Sequence, residues 1–336
     1  RDSFTLSNPL SSHAILLEIA RGYQKLTQLG WRPLRTIKFI SWDGTNSGKA
    51  GSVAYFKDET AYDKRMPLSG YINLDTDTIR GSKLVVDAHP ELDHLVKSAA
   101  AYVPFPRVSV HDGKVGKETD GEIEEDHDST TDIYYSHPPS LFQYWKKQDK
   151  NKINNVLTEE ILNLDAINFQ QHQGIPIVNL KFDNDPKIDS VIYPKNSNYF
   201  LDDWLNTLDG DMLLHGLIVR FAGLLAMTLC DHEVTDHKIK PYAEKLNEFF
   251  DIVKETHNDT LSKWAHRDVP LYLINKEDIY SDLKSGPFDS PNVHLNNLTE
   301  SIHSILANIL EQSQIFDQYN RKIQDDLFTD YAWYHL

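Results

Sequence analysis

Gly30-Trp31-Arg32-Pro33-Leu34-Arg35-Thr36-Ile37, running on through Ser41-Trp42-Asp43 to Gly48, is the stretch that decides how this chain folds. A glycine and a proline punctuate its start, so a helix entering from the N-terminal side ends there. Arg35 to Trp42, with Ile37, Phe39 and Ile40, reads as a strand. Upstream, Ser11 and Ser12 can cap a helix whose apolar positions Ile15, Leu16, Ile19, Tyr23 and Leu26 recur at helical spacing as far as Gly30. Downstream, Ser47 to Lys57 reads as a helix and Gly70 to Asp75 as a short strand ending in an aspartate. Helix, strand, helix, strand predicts an α/β layered sheet.

Further along, Lys83 to Asp87 reads as a strand, Pro90 to Tyr102 as a helix, and Gly174 to Phe182 (GIPIVNLKF) as a buried strand followed by a loop. Gly113 to Asp132 holds eight acidic residues but lacks the ordered oxygen-ligand spacing of a calcium loop, and reads as a solvated loop. From about Phe200 the pattern turns to long helices: Trp204 to Cys230, Lys240 to His257 and Leu298 to Asp317. The shift places a domain boundary near residue 200.

The 336 residues, 40% apolar and 25% charged, can bury a substantial core. A net charge of −16, from 50 acidic and 34 basic residues with no basic patch, argues against a nucleic-acid partner. The apolar run Leu213 to Cys230 carries His215 and Arg220 in its body. A central arginine costs roughly 2.5–3.5 kcal/mol on insertion scales, so the run reads as a buried helix rather than a membrane span. Cys230 alone makes no internal disulfide, and in an apolar helix it reads as an inert thiol. Asn258-Asp259-Thr260 and Asn297-Leu298-Thr299 are candidate glycosylation sequons, suited to a luminal or extracellular chain.

Three stretches together resemble the family of zinc aminopeptidases and carboxypeptidases that includes glutamate carboxypeptidase and the transferrin receptor. They are Arg1-Asp2-Ser3 with Asn8-Pro9, the Gly30 to Ile37 run with Ser41-Trp42-Asp43 and Gly48 to Ser52, and Tyr71-Ile72-Asn73-Leu74-Asp75. The similarity continues through Gly174-Ile175-Pro176 into the helical part. It implies a three-layer zinc-peptidase-like α/β domain with a central mixed sheet over residues 1–200, lacking its N-terminal part. A helical dimerisation-type domain follows over residues 201–336.

The resemblance also implies a metal site that can be checked position by position. Active members hold two zinc ions with a histidine, a bridging aspartate, a glutamate, a second aspartate and a second histidine, beside a glutamate general base. The first histidine corresponds to the residue before Arg1. The bridging aspartate falls at Asn8, whose neutral amide cannot bridge two cations. The paired glutamates fall at Thr45 and Asn46: a hydroxyl with no accessible pKa in the place of the base, and an amide that brings a metal no charge. Asp75 matches a zinc-binding aspartate. The last histidine aligns with Pro194 beside Tyr193, and no histidine lies between Gln173 and His215. Of these former ligand positions, Asp75 alone keeps its chemistry.

Other chemistries lack anchors. His232-Glu233-Val234-Thr235-Asp236-His237 spaces its histidines five apart, about 140° around a regular helix, so they cannot share a metal there; the segment reads as a polar helix end. No G-x-S-x-G elbow, phosphate-binding loop or dinucleotide turn occurs.

The expectation is therefore a non-catalytic, peptidase-like receptor or sorting adaptor that binds protein and forms a homodimer without a cofactor. Fungal transferrin-receptor-like and vacuolar-sorting proteins are nearest in character. Such a protein is membrane-tethered, on the luminal or extracellular side of the endomembrane system or cell surface, with its anchor upstream of Arg1, and it has an unidentified protein partner or cargo. The alternative is a divergent zinc-dependent exopeptidase recruiting Asp43, Asp75 or Asp77 with His13. A third reading is a structural dimerisation module that captures no partner.

Overall fold

The computed structural model describes residues 10–45, 48–58, 68–74, 78–105, 108–111, 114–117, 139–149, 153, 165–185, 189, 209–270 and 292–334. It divides into two compact units between His237 and Lys238.

In the first unit, helix α1 (Leu10–Gln28) buries Ile15, Ile19 and Tyr23, successive i+4 positions on one face. Helix α2 (Ala50–Lys57) follows the Asp43 turn. Strands β1 (Tyr71–Asn73) and β2 (Lys83–Ala88) flank β5 (Ile177–Asp183) in a three-stranded sheet of order β1-β5-β2, with β1 parallel and β2 antiparallel to β5. The middle strand turns Val178, Leu180 and Phe182, each 0% exposed, to one face, while the other carries Ile177, Asn179 and Lys181. A 3-10 turn (Pro90–Leu92) leads into α3 (Asp93–Tyr102). A small hairpin, β3 (Val108–His111) with β4 (Lys114–Lys117), precedes α4 (Leu141–Asp149) and α5 (Ile167–Gln173).

Helix α6 (Leu213–Asp231) is long and apolar enough to cross a membrane by length and composition. Its stripe Leu214, Leu217, Ile218, Phe221, Ala222 and Leu225 nevertheless lies in the core of the first unit, where it meets α1, α3 and β5. Arg220 points to solvent on the opposite side.

The Gly30–Arg35 stretch closes the end of this helix. The last carbonyls of a helix have no partner within it and must find one elsewhere. Here the Arg35 backbone N–H donates to the Cys230 carbonyl at 3.2 Å, and its guanidinium donates to the carbonyls of His232 and Glu233. The Trp31 indole N–H donates to the Asp231 carboxylate at 2.7 Å. The other end is closed by Asp209, whose two oxygens accept the N–H groups of Leu214 and His215, each at 3.0 Å.

A polar ladder crosses the sheet at the same level. The Asn73 amide donates to Asn179 Oδ1 at 3.0 Å, and the Asn179 amide donates to Asp87 Oδ2 at 3.1 Å, all three side chains buried. These residues are register partners across β1-β5-β2, so any one-residue slip would leave them without partners.

The second unit holds α7 (Ile239–Thr256), α8 (Asn258–Trp264), a short β6–β7 pair (Asp268–Pro270 with Asn292–His294) and α9 (Leu295–Tyr334), a helix of 40 residues. Helix α7 packs on α9 and is capped from it: Asp317 accepts the N–H groups of Ile239 and Lys240, both at 2.9 Å.

Several expectations are corrected. Residues 35–42 are extended, with Ile37 packed on the core, yet among the described residues they join no sheet; the Arg35 N–H is turned to the end of α6 instead. The compact units meet at His237/Lys238, downstream of the composition shift near residue 200, because α6 belongs by packing to the first unit. The segment after Asp231 leaves the helix, so His232 to His237 is no polar helix end; His237 Nε2 instead bonds the Ser69 carbonyl at 2.8 Å. Helix α9 runs well beyond Asp317.

Arg35→Ala should lower unfolding stability by about 1–2 kcal/mol, since two carbonyls lose a charged donor. Arg35→Lys should recover only part of that, because one ammonium lacks the two-pronged guanidinium geometry. Urea unfolding reads both; an unchanged midpoint for Arg35→Ala would show that the clamp contributes nothing.

Candidate functional site

Thr45 sits in the tight turn between Asp43 and α2. Asp43 Oδ1 accepts the Gly44 N–H at 2.9 Å, and Gly44 has φ +64°, a conformation that favours glycine. The turn is pressed onto α2: Gly51 N–H donates to the Asp43 carbonyl at 3.0 Å, and a Cβ at residue 51 would lie 2.6 Å from that oxygen. Glycine is required at 51 by this close approach of backbone to backbone.

The Thr45 hydroxyl donates to Asp165 Oδ2 at 2.8 Å, and Ser52 donates to Oδ1 of the same carboxylate at 2.5 Å. Asp165 is 4% exposed, so the two hydroxyls replace the water it would otherwise hold. An aromatic cluster supports this pocket. Phe169, 1% exposed, stands 5.1 Å from the Tyr71 ring, 5.6 Å from Phe56 and 6.2 Å from Trp42. The Trp42 indole donates to the Tyr71 hydroxyl at 2.7 Å, which ties the Thr45 turn to the start of β1.

Asp75 lies two residues beyond β1, and with Asn8, Asn46, Pro194 and Asp77 it falls outside the described residues. The other members of the alternative ligand set are engaged separately: His13 Nδ1 lies 3.4 Å from the Ser41 hydroxyl, and Asp43 holds its own turn. Among the described residues no group of three or more His, Cys, Asp or Glu side chains could hold a metal ion. The donors at the aligned positions do not fit a zinc pair. The Thr45 hydroxyl donates its hydrogen bond to Asp165, Asn8 and Asn46 are amides, and Pro194 has no side-chain donor atom.

Two features escaped the sequence reading. Asp165 has no motif around it; its sole signal is an acidic residue directly before the apolar start of α5. The other is a relay in which Ser11 Oγ meets His215 Nε2 at 2.8 Å and His215 Nδ1 meets Asp209 Oδ2 at 2.6 Å. These are the distances of a Ser-His-Asp triad. All three residues are 9% exposed or less, and the same Asp209 oxygens cap α6. The relay is therefore a buried tie between α1 and α6. Cys230, also buried, has its thiol pKa pushed up to about 11, first by burial and then by Asp231, the reverse of an activated nucleophile.

The small mixed sheet packed with helices, and a pocket built on Ser-Trp-Asp, the Thr45 turn and β1, define a peptidase-type α/β domain, and residues 11–137 match the model of peptidase family M28. The chain holds a peptidase family M28 domain, and the proteins it is similar to are vacuolar-sorting, glutamate carboxypeptidase-like and transferrin-receptor proteins. Vacuolar protein sorting-associated protein 70 of Saccharomyces cerevisiae is 32% identical over 71% of this chain and 25% of its own length. A probable glutamate carboxypeptidase of Arabidopsis thaliana is 26% identical over 84% of this chain and 36% of its own, and transferrin receptor protein 2 of Rattus norvegicus is 23% identical over 55% and 20%. The chain thus spans between a fifth and just over a third of the length of these relatives.

Thr45→Val keeps the shape of residue 45 but takes one donor from a buried carboxylate, and should cost about 1–3 kcal/mol in stability. Thr45→Ser should be close to neutral. Chemical denaturation of the two variants decides: equal losses in both would mean that shape, and not the bond to Asp165, matters at this position.

Proposed function

We propose that this chain is the peptidase-like part of a non-catalytic receptor or sorting protein, which acts by binding another protein and by pairing with a second copy of itself. The observation that carries this reading is Thr45. At the position of the family's general base stands a hydroxyl that donates to Asp165, and a hydroxyl cannot take a proton from water in the neutral range. The amides at Asn8 and Asn46 and the proline at 194 point the same way. Similarity to a vacuolar protein sorting-associated protein and to a transferrin receptor supports a sorting or receptor role on the luminal or exterior side of endomembranes, without a catalytic metal.

Pairing is supported by the outer stripe of α9. Ile305, Ile309, Phe316 and Tyr319 follow one another at spacings of four, seven and three, and all are more than 40% exposed. Such a seam is suited to a second helix.

The second reading, a divergent zinc-dependent exopeptidase, is favoured by the relatives named as glutamate carboxypeptidases. It would need Asp43, Asp75 or Asp77 with His13 as ligands.

Purified protein, prepared with zinc in the medium, should carry well under one zinc per chain by elemental analysis and turn over no peptide in a chelator-sensitive way. Two zinc ions per chain with chelator-sensitive turnover would sink the non-catalytic reading. The same sample should sediment as a dimer that Ile309→Glu converts to monomer; a wild-type monomer at micromolar concentration removes the pairing.

A further inference from the structure

We infer that Asn258 and Asn297 are both acceptors of N-linked glycan, so that one end of the second unit, where α8 meets the start of α9, is a glycosylated surface. The inference rests on the luminal placement proposed above.

Both triplets have the N-x-T form, and the structure adds what the triplets cannot say. Asn258, Thr260 and Asn297 are exposed, and the whole outer side of α8 is open to solvent. Among the described residues neither the Asn258 nor the Asn297 side chain takes part in a hydrogen bond, whereas neighbouring asparagines do. The Asn296 amide donates to Glu300 Oε1 at 3.1 Å, and the Asn247 amide donates to the Ala243 carbonyl at 2.9 Å. A glycan on Asn296 or Asn247 would break an internal bond, while one on Asn258 or Asn297 breaks none.

The two sites also belong to one surface. Asn296 N–H donates to the Ala265 carbonyl and Leu295 N–H to that of Arg267, both at 3.1 Å, which fastens the start of α9 to the end of α8. Asn258 lies seven residues from Ala265, about 10 Å along a helix axis. The apolar stripe of α9 begins at Ile305, two turns past Asn297. Sugar at these positions would thus screen the α8 end with a bulky hydrated group and leave the stripe uncovered.

The modification is a group transfer from a lipid-pyrophosphate-linked oligosaccharide. The asparagine Nδ2 forms a bond to the anomeric carbon, the bond from that carbon to the pyrophosphate oxygen breaks, the lipid pyrophosphate leaves with the bonding electrons, and one amide proton passes to solvent.

The test uses the whole chain in two settings. Directed into endoplasmic-reticulum microsomes by an added signal sequence, it should acquire two glycans, seen as two steps in mobility removed by peptide-N-glycosidase. Asn258→Gln and Asn297→Gln should each remove one step, Thr260→Ser and Thr299→Ser should keep both, and the double glutamine variant should run unmodified. Failure of either step in wild-type chain inside microsomes overturns the assignment of that residue. The natural protein in its own cells should carry the same two glycans. If it is unmodified there while the microsomal chain is modified, the luminal placement falls and the accessibility of the two acceptors stands.

Discussion

The first unit depends on burying α6 with both of its ends satisfied. The helix supplies Leu217, Ile218, Phe221 and Leu225 to the core, each 1% exposed or less, and it can lie there only if its terminal N–H and carbonyl groups find partners away from water. Asp209 provides them at one end; at the other the Arg35 N–H meets the Cys230 carbonyl, and Trp31 holds the Asp231 side chain. The second set reaches across about 200 residues of sequence. That separation accounts for the information packed into Gly30 to Arg35: the glycine, at φ +102°, turns the chain out of α1, and the tryptophan and arginine then dock on α6. A helix long and apolar enough to cross a membrane is thereby held in the core of the first unit.

The Thr45 turn follows the same rule of satisfied polar groups. A buried carboxylate is tolerable when donors meet its oxygens, and Asp165 has one hydroxyl on each. Thr45 is therefore built into the framework around the pocket. The Gly44 turn, the close approach at Gly51 and the Trp42–Tyr71 bond fix the loop that carries it.

How much of this was legible in the sequence varies with the range of the interaction. Local periodicity revealed α1, whose Ile15, Ile19 and Tyr23 are indeed its buried stripe, and α7 within a residue at each end. The apolar GIPIVNLKF run gave away β5 as a strand, and the structure adds that it is the central one. Residues 35–42 carry strand-like residues, but a strand is made by its neighbours, and the sequence does not show that Arg35 is drawn to the end of α6. The boundary near residue 200 followed composition, whereas the real division follows packing. Asp165 and the Ser11–His215–Asp209 tie were invisible because each joins residues more than 100 positions apart with no motif at either end. At the candidate site, the bond that holds Thr45 to Asp165 needed coordinates.

The anatomy of the core also shows what holds the first unit together around the Thr45 turn. Where a metal is structural, its ligands are what hold the chain together, and removal unfolds the domain. Here the two clusters nearest the pocket are apolar and self-contained: one around Phe169 and Ile175 with Trp42, Tyr55 and Phe56, the other around Ala166, Ile167 and Ile177 with Tyr71. The main core of α1, α6 and the sheet is built from aliphatic and aromatic side chains, with the Asn73–Asn179–Asp87 ladder setting its register. None of these networks requires a cation to be complete.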